Sequence, residues 1–200
     1  MRIVGGAWRG RRLEAPEGRG TRPTTDRVRE SLASMVLAAE GLDLSGARVL
    51  DAFAGSGAVS LELLSRGAAS ATLVERDRSA LRACRANVAA CGARGVARVV
   101  AGDAFRLAAR GRVPGAPFTV VVLDPPYATP AEQVAELVEG LLAAGAVGEG
   151  ALVVYERAQA APPLALHTAR IVSRKRHGDT AVDLLRLGAA HGDAADDAAD

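Results

Sequence analysis

Apolar and polar residues follow two different periods along this chain, and the period changes wherever glycine, proline or aspartate interrupts it. Short apolar runs at ARVLDAF (47–53), SATLVE (70–75), VARVVAGD (96–103), FTVVVLD (118–124) and ALVVYE (151–156) have the length and β-branched content of strands. Between them, AVSLELLSRG (58–67), DRSALRACRANVAACG (77–92), AFRLAARG (104–111) and PAEQVAELVEGLLAAG (130–145) space their apolar residues as helices do. Asp77 suits the opening of the second helix, and Gly67 and Gly92 suit the ends of the first two. Strands that are apolar on both faces and alternate with helices predict a parallel sheet covered on both sides.

The two ends of the chain depart from this pattern. HTARIVSRKR (167–176) and DTAVDLLRL (179–187), separated by His177-Gly178, predict an antiparallel hairpin on the sheet edge. Upstream, Val28, Leu32, Met35 and Val36 recur at helical spacing after Thr24-Thr25-Asp26, a helix-opening sequence, and run to about Glu40. Ile3-Val4 and Arg12-Leu13 read as short strands of a hairpin before that helix. The expected organisation is a basic hairpin-and-helix extension over 1–40, an α/β domain over 41–188 and a disordered acidic tail over 189–200.

Composition narrows the class. Of 200 residues 49% are hydrophobic, enough for one core, and no apolar run approaches the ~18–20 residues of a membrane span. The start has no apolar stretch of a secretory signal, and a cytoplasmic protein is expected. Cys84 and Cys91 lie seven apart, match no zinc or redox spacing, and are expected as reduced thiols on one helix face. His167, His177 and His191 form no ligand constellation, so no metal is expected. Net charge is only +2, but residues 1–30 carry eight arginines against four acids, whereas the last nine residues carry four aspartates and no base. A basic head suggests a polyanionic partner.

The chemistry gathers at strand ends. The first strand runs into Asp51-Ala52-Phe53-Ala54-Gly55-Ser56-Gly57, and the second ends in Glu75 and Arg76, twenty residues beyond Gly55. A strand, a glycine turn, a helix and a late acid form a nucleoside-binding arrangement, the acid serving the ribose hydroxyls. The third glycine of a dinucleotide fingerprint is replaced by Ser60. Asp51 would repel a pyrophosphate but would favour a sulfonium and an amino group, so the loop favours S-adenosylmethionine. Asp103, followed by Ala104, closes the third strand and could accept from an adenine amine. Phe53 is expected to pack under the cofactor, Phe105 and Phe118 in the core, and Tyr155 in the core or at the crevice rim. Trp8 suits either stacking on RNA or a local clamp.

The fourth strand ends in Asp124-Pro125-Pro126-Tyr127. An exocyclic base amine is a poor nucleophile because its lone pair is delocalised into the ring. Asp124 and the Pro125 carbonyl can each accept one amine hydrogen and free that lone pair, on a backbone that proline makes rigid. Tyr127 can stack on the base. The target base must be unpaired or flipped out.

DxFAGSG followed by DPPY resembles the class I methyltransferases of exocyclic amines. GGAWRGRRL and RPTTDRVRESL (22–32) resemble the RsmD family, bacterial 16S rRNA guanine-N2 methyltransferases, and the resemblance runs from about Arg2 to Leu187. It implies a Rossmann-like α/β fold, mostly parallel with a C-terminal antiparallel hairpin, and S-adenosylmethionine as cofactor. It also implies 16S rRNA as partner, in a small-subunit particle, with Arg9, Arg11, Arg22, Thr24, Thr25 and Arg27 as substrate contacts. Members place an aromatic before the glycine of the last hairpin, as in YGDT; here that position is His177. A monomer is expected, since no interface helix stands out. Methylation of DNA adenine or protein glutamine, a nicotinamide-dependent oxidoreductase, and a non-catalytic RNA-binding assembly factor remain as alternatives.

Overall fold

A computed structural model describes residues 1–16 and 25–188. Seven strands form one sheet: β1 (Arg48–Asp51), β2 (Ser70–Glu75), β3 (Ala97–Ala101), β4 (Phe118–Leu123), β5 (Val147–Ala158), β6 (Ala169–His177) and β7 (Thr180–Leu187). Their order is β3-β2-β1-β4-β5-β7-β6. The first five pair in parallel, and β7 runs antiparallel between β5 and β6. Helices α2 (Ala58–Ser65), α3 (Arg78–Ala90), α4 (Ala104–Ala109) and α5 (Ala131–Ala143) are the crossovers, and α1 (Asp26–Ala39) precedes the sheet. The strand order reverses between β1 and β4. That reversal opens a crevice at the carboxyl ends of these two strands, the usual ligand position in such sheets.

Apolar residues of the strands alternate between two cores. Val49, Leu73, Val120, Val122 and Val154 face α1, α2 and α3. Leu50, Val74, Val121, Leu123 and Val153 face α4 and α5. The hairpin turn falls one residue later than expected: His177 pairs with Thr180, leaving Gly178 and Asp179 as the two-residue loop. Gly178 has φ +58°, the left-handed value that such a turn requires.

The N-terminal hairpin is short. It is reduced to a single antiparallel bridge, Arg2 to Arg12. Three backbone bonds cross it, from the amides of Ile3, Gly10 and Leu13 to the carbonyls of Arg11, Ile3 and Met1 at 2.9, 2.9 and 3.0 Å, and side chains of α2 and α3 dock it to the sheet domain. Glu62, fully buried, accepts the amides of Val4 and Gly5, each at 2.8 Å. The Ser65 hydroxyl accepts the Trp8 amide at 2.9 Å and donates to the Gly5 carbonyl at 2.6 Å. Asn87 accepts the Glu14 amide at 2.7 Å and donates to the Glu14 carbonyl at 3.0 Å. Gly6 has φ +77°, and a Cβ there would lie 1.8 Å from the Ser65 carbonyl oxygen, so glycine is required for this docking. Ile3 and Leu13 complete the attachment by burial in the same core as the sheet. Trp8 packs half-buried against that core, which favours the clamp reading.

Glu62 is neutralised by two arginines. Arg66 Nη2 lies 2.9 Å from its Oε1, and the fully buried Arg29 places Nε 3.7 Å from its Oε2. Arg29 Nη2 also donates to Asp26 at 2.8 Å and to the Arg2 carbonyl. One carboxylate thus joins α1, α2 and the N-terminal strap. Removing one partner of a buried ion pair strands the other charge, at about 3–5 kcal/mol. Glu62→Ala is therefore expected to lower the urea unfolding free energy by about that amount. Arg12→Ala, on the exposed side of the strap, should change it by less than about 0.5 kcal/mol.

Candidate active site

The glycine turn is built by one acid. Glu75, at the end of β2, accepts the Gly55 amide on Oε2 at 2.8 Å and the amides of Arg76 and Asp77 on Oε1 at 2.7 and 2.8 Å. A carboxylate has about four lone-pair positions, so three amides leave one acceptor position on Oε2, on the side of the turn. Gly57 caps α2 with φ +78°, and a Cβ there would lie 2.9 Å from Leu73 Cδ2 and 3.0 Å from Cys84 Sγ. Gly55 has φ +54°, and a Cβ there would meet nothing within 4 Å. The turn is thus tight against the core at Gly57 and open at Gly55, a shape that lets a ligand approach the backbone.

Asp51, at the end of β1, is 2% exposed and receives the Ser60 hydroxyl at 2.9 Å. The serine in place of a third glycine therefore has a job: it holds the buried acid. Burial raises the Asp51 pKa from an ordinary 3.8 to about 7, opposed by the Ser60 hydrogen bond and reinforced by the charges of Asp124 and Glu75. Asp51, Glu75 and Asp124 stand at the carboxyl ends of the adjacent strands β1, β2 and β4, which brings all three to one edge of the sheet. Burial also pushes the Cys84 thiol up to about 12, and both cysteines are buried and unoxidised.

Asp103 caps α4, accepting the Arg106 amide at 3.2 Å, and pairs with the exposed Arg76 at 3.1 Å. Ala104 opens that helix and is buried. Phe53 and Phe105 meet at 5.7 Å between centroids with rings tilted 59°. Phe105 is half-buried rather than a core residue, because it serves as the partner of Phe53. Phe118 and Tyr155 are buried in the core. Ala54 and Ser56 are buried behind the turn, where the Ser56 carbonyl accepts from Asn87 at 2.9 Å. Asn87 therefore ties the N-terminal strap to the glycine turn.

Asp124 follows Leu123 at the tip of β4. Asp51 pairs with Val122, so Asp124 stands two residues beyond it on the adjacent strand. Asp124 is half-buried, Pro125 buried and Pro126 exposed. The Pro126 carbonyl accepts the Thr129 amide at 2.8 Å, closing the loop. Tyr127 is 55% exposed, and its hydroxyl lies 3.5 Å from the Thr180 hydroxyl on β7.

The basic residues are less concentrated than the acids. Arg22 and Thr24 lie outside the described residues. Thr25 caps α1, its hydroxyl accepting the Val28 amide at 3.3 Å, so it has an architectural role. Arg27 is exposed on the first turn of α1. The strap runs along α2 from Met1, whose sulfur lies 3.6 Å from the Ser56 hydroxyl, to Ala7, bonded to the Ser65 carbonyl. Arg9 is thus at the far end of α2, about 12 Å below the glycine turn at 1.5 Å per residue. The Arg11 guanidinium is engaged by the Ala90 carbonyl at the end of α3. The two arginines are therefore set apart from the crevice mouth. Glu62 and Asn87 carried no local signal in the sequence, because their strap partners are distant in the chain, and Ser60 was noted only for standing in place of a third glycine.

The family described as "Conserved hypothetical protein 95" matches residues 1–186. "Ribosomal RNA small subunit methyltransferase D" of Escherichia coli K12 is 46% identical over 127 residues, 64% of this chain and 60% of that protein. "Putative rRNA methyltransferase YlbH" of Bacillus subtilis is 41% identical over 129 residues, 64% of this chain and 67% of that protein. The first of these alignments thus spans about three fifths of its relative. A solved structure, "Putative methyltransferase yhhF from Escherichia coli", is 39% identical, covers 94% of this chain and 98% of that one, and superposes with a TM-score of 0.77.

An acid whose pKa is raised on folding keeps a proton that the unfolded chain gives up, so its contribution falls as pH rises from about 4 to about 7. Asp51→Asn should flatten the decline of the melting temperature over that window, measured as the wild-type-minus-variant difference between pH 5 and pH 8. Gly57→Ala should lower the melting temperature by several degrees, because its Cβ meets Leu73 and Cys84 in an unfavourable backbone region.

Proposed function

The chain belongs to the RsmD family, matched over residues 1–186, and from that premise we propose that it methylates the exocyclic N2 amine of a guanine in small-subunit rRNA. It does so in the cytoplasm, as a monomer acting on a ribosomal particle. S-adenosylmethionine is the donor and supplies an electrophilic sulfonium methyl. The observation that carries the reading is the Asp124–Tyr127 loop, set beside the buried Asp51 at the switch point of the sheet.

The residues divide the work by chemistry. Asp51, Glu75 and Asp124 surround the crevice with negative charge, which favours a cationic ligand; that cation, once bound, would draw Asp51 towards its ionised form. The open acceptor position of Glu75 suits a ribose hydroxyl, and the Phe53–Phe105 pair suits the face of an adenine, with Asp103 and Arg76 at its edge. Gly55 and Gly57 let the backbone lie against the ligand, with Ala54, Ser56 and Ala104 as the adjoining wall.

Asp124 accepts one hydrogen of the guanine amine and the Pro125 carbonyl accepts the other. Pro126 fixes the turn, its own carbonyl being held by Thr129. The nitrogen lone pair, no longer shared with the ring, forms the new N–C bond as the S–C bond breaks towards sulfur. The amine proton then leaves by way of Asp124. Asp124 need not be a strong base, because the nitrogen becomes acidic only once methylated. Tyr127 stacks on the base. Most of the rate comes from orientation in a rigid polar site. Arg27 approaches the RNA on the crevice side, Thr25 supports it by capping α1, and Arg9 and Arg11 reach only RNA lying further along α2.

Asp124→Ala is expected to reduce methyl transfer at saturating substrate on the order of 100-fold or more, with donor affinity by calorimetry changed less than about threefold. Wild-type turnover in this variant would remove Asp124 from the chemistry. A panel of rRNA, duplex DNA and protein with labelled donor should label rRNA alone.

A further inference from the structure

Resting on the RNA-methyltransferase reading above, we propose that the crevice-side end of β6, at Lys175 and Arg176, is a phosphate-binding track for the single-stranded RNA that flanks the target base. The reason begins in the crevice. Asp51, Glu75, Asp103 and Asp124 end four neighbouring strands, so the pocket repels phosphate. A polynucleotide can place only its base there, and its backbone must be held outside by cations level with the loop.

Strand register supplies that level. Leu123 pairs with Tyr155, Tyr155 with Asp183, and Asp183 with Arg174. Lys175 and Arg176 are one and two residues further along, level with Asp124 and Pro125. Three strand spacings separate them laterally, about 14 Å. The contact between Tyr127 and Thr180 spans part of that gap.

The charge there is not consumed. Residues 169–181 hold Arg170, Arg174, Lys175 and Arg176 against one acid, Asp179. Arg174 is committed to Asp183, a buried carboxylate that Arg157 also binds at 2.9 Å. Lys175 and Arg176 are exposed and, among the described residues, have no carboxylate within 4 Å. Cations and a bulge on an edge strand also discourage pairing with other chains. That purpose does not require three of the four cations to be consecutive at the end facing the loop, Lys175 on the α1 face of the strand and Arg176 on the other. Arg27, exposed on α1, extends the face that carries Lys175: α1 packs against β6, and its far end is held at the opposite edge of the sheet by Arg186, which donates to the Ala39 carbonyl at 2.7 Å.

The test is the salt dependence of binding to small-subunit rRNA transcribed in vitro. Each cation lost from a single-stranded contact removes about 0.7 from the slope of log K against log salt. The double variant Lys175→Gln, Arg176→Gln should be shallower than wild type by about 1.4, with a raised KM for RNA, an unchanged kcat at saturating RNA and unchanged donor affinity. Arg170→Gln, five residues down the same strand, should leave the slope unchanged. An unaltered slope in the double variant, or an equal change in Arg170→Gln, would overturn the track while leaving the methyltransferase reading intact. A wild-type chain that binds donor but neither binds nor labels any RNA would sink both.

Discussion

The site depends on a conflict of like charges. A parallel sheet brings the carboxyl ends of its strands to one edge, and in this chain four of those ends are acids. One of them, Asp51, is buried so far that its pKa is about 7 despite a hydrogen bond from Ser60. Such a crevice is unfavourable without a cation and hostile to phosphate. Both properties bear on function. They suit a sulfonium donor within, and they force an anionic partner to be gripped from the rim. Glu75 shows how the conflict is eased on the protein's side: three backbone amides disperse its charge and, in doing so, set the position of the glycine turn.

A second carboxylate plays a comparable part on the outer face of α2. Glu62 takes two amides of the strap and two arginines, and so anchors a short hairpin that pairs only with itself. The segment 22–32 therefore serves two ends. Thr25 and Arg29 belong to the architecture, one as a helix cap and the other as the buried partner of Glu62, while Arg27 faces solvent. Asn87 joins the two systems, because the same amide holds Glu14 of the strap and Ser56 of the turn. The strap and the turn are thus held by one side chain.

Much of this was legible in the chain itself, for reasons of period. SATLVE became β2 residue for residue, and Asp77 capped α3, because a short apolar run with β-branched residues and a capping acid are local signals. The acids at the strand tips were legible because a strand ending on a carboxylate is anomalous for a buried run. Glu62 and Arg29 were not, since a charged residue within a helical pattern reads as its solvated face until tertiary packing covers it. Arg9 and Arg11 were counted with the basic head, yet α2 carries the tip of the hairpin away from the crevice and α3 engages Arg11. Arginine content alone says nothing of such placement.

The same reasoning gives β6 its weight. In the sequence its cations belong to an ordinary edge strand, and only the register through β7 and β5 to β4 raises two of them to the height of Asp124. The hairpin also rises past the end of β4: Ala158 pairs with Thr180, three residues beyond the pairing of Tyr155 with Leu123. That rise forms a wall on one side of the Asp124–Tyr127 loop, with Tyr127 leaning against it at Thr180. A base stacked on Tyr127 would therefore have the wall beside it, and the strand leading away from that base would cross the hairpin tip. Two bonded elements, a rigid proline loop and a basic hairpin, would then define how an RNA enters under the proposed function, which is more than either could impose alone.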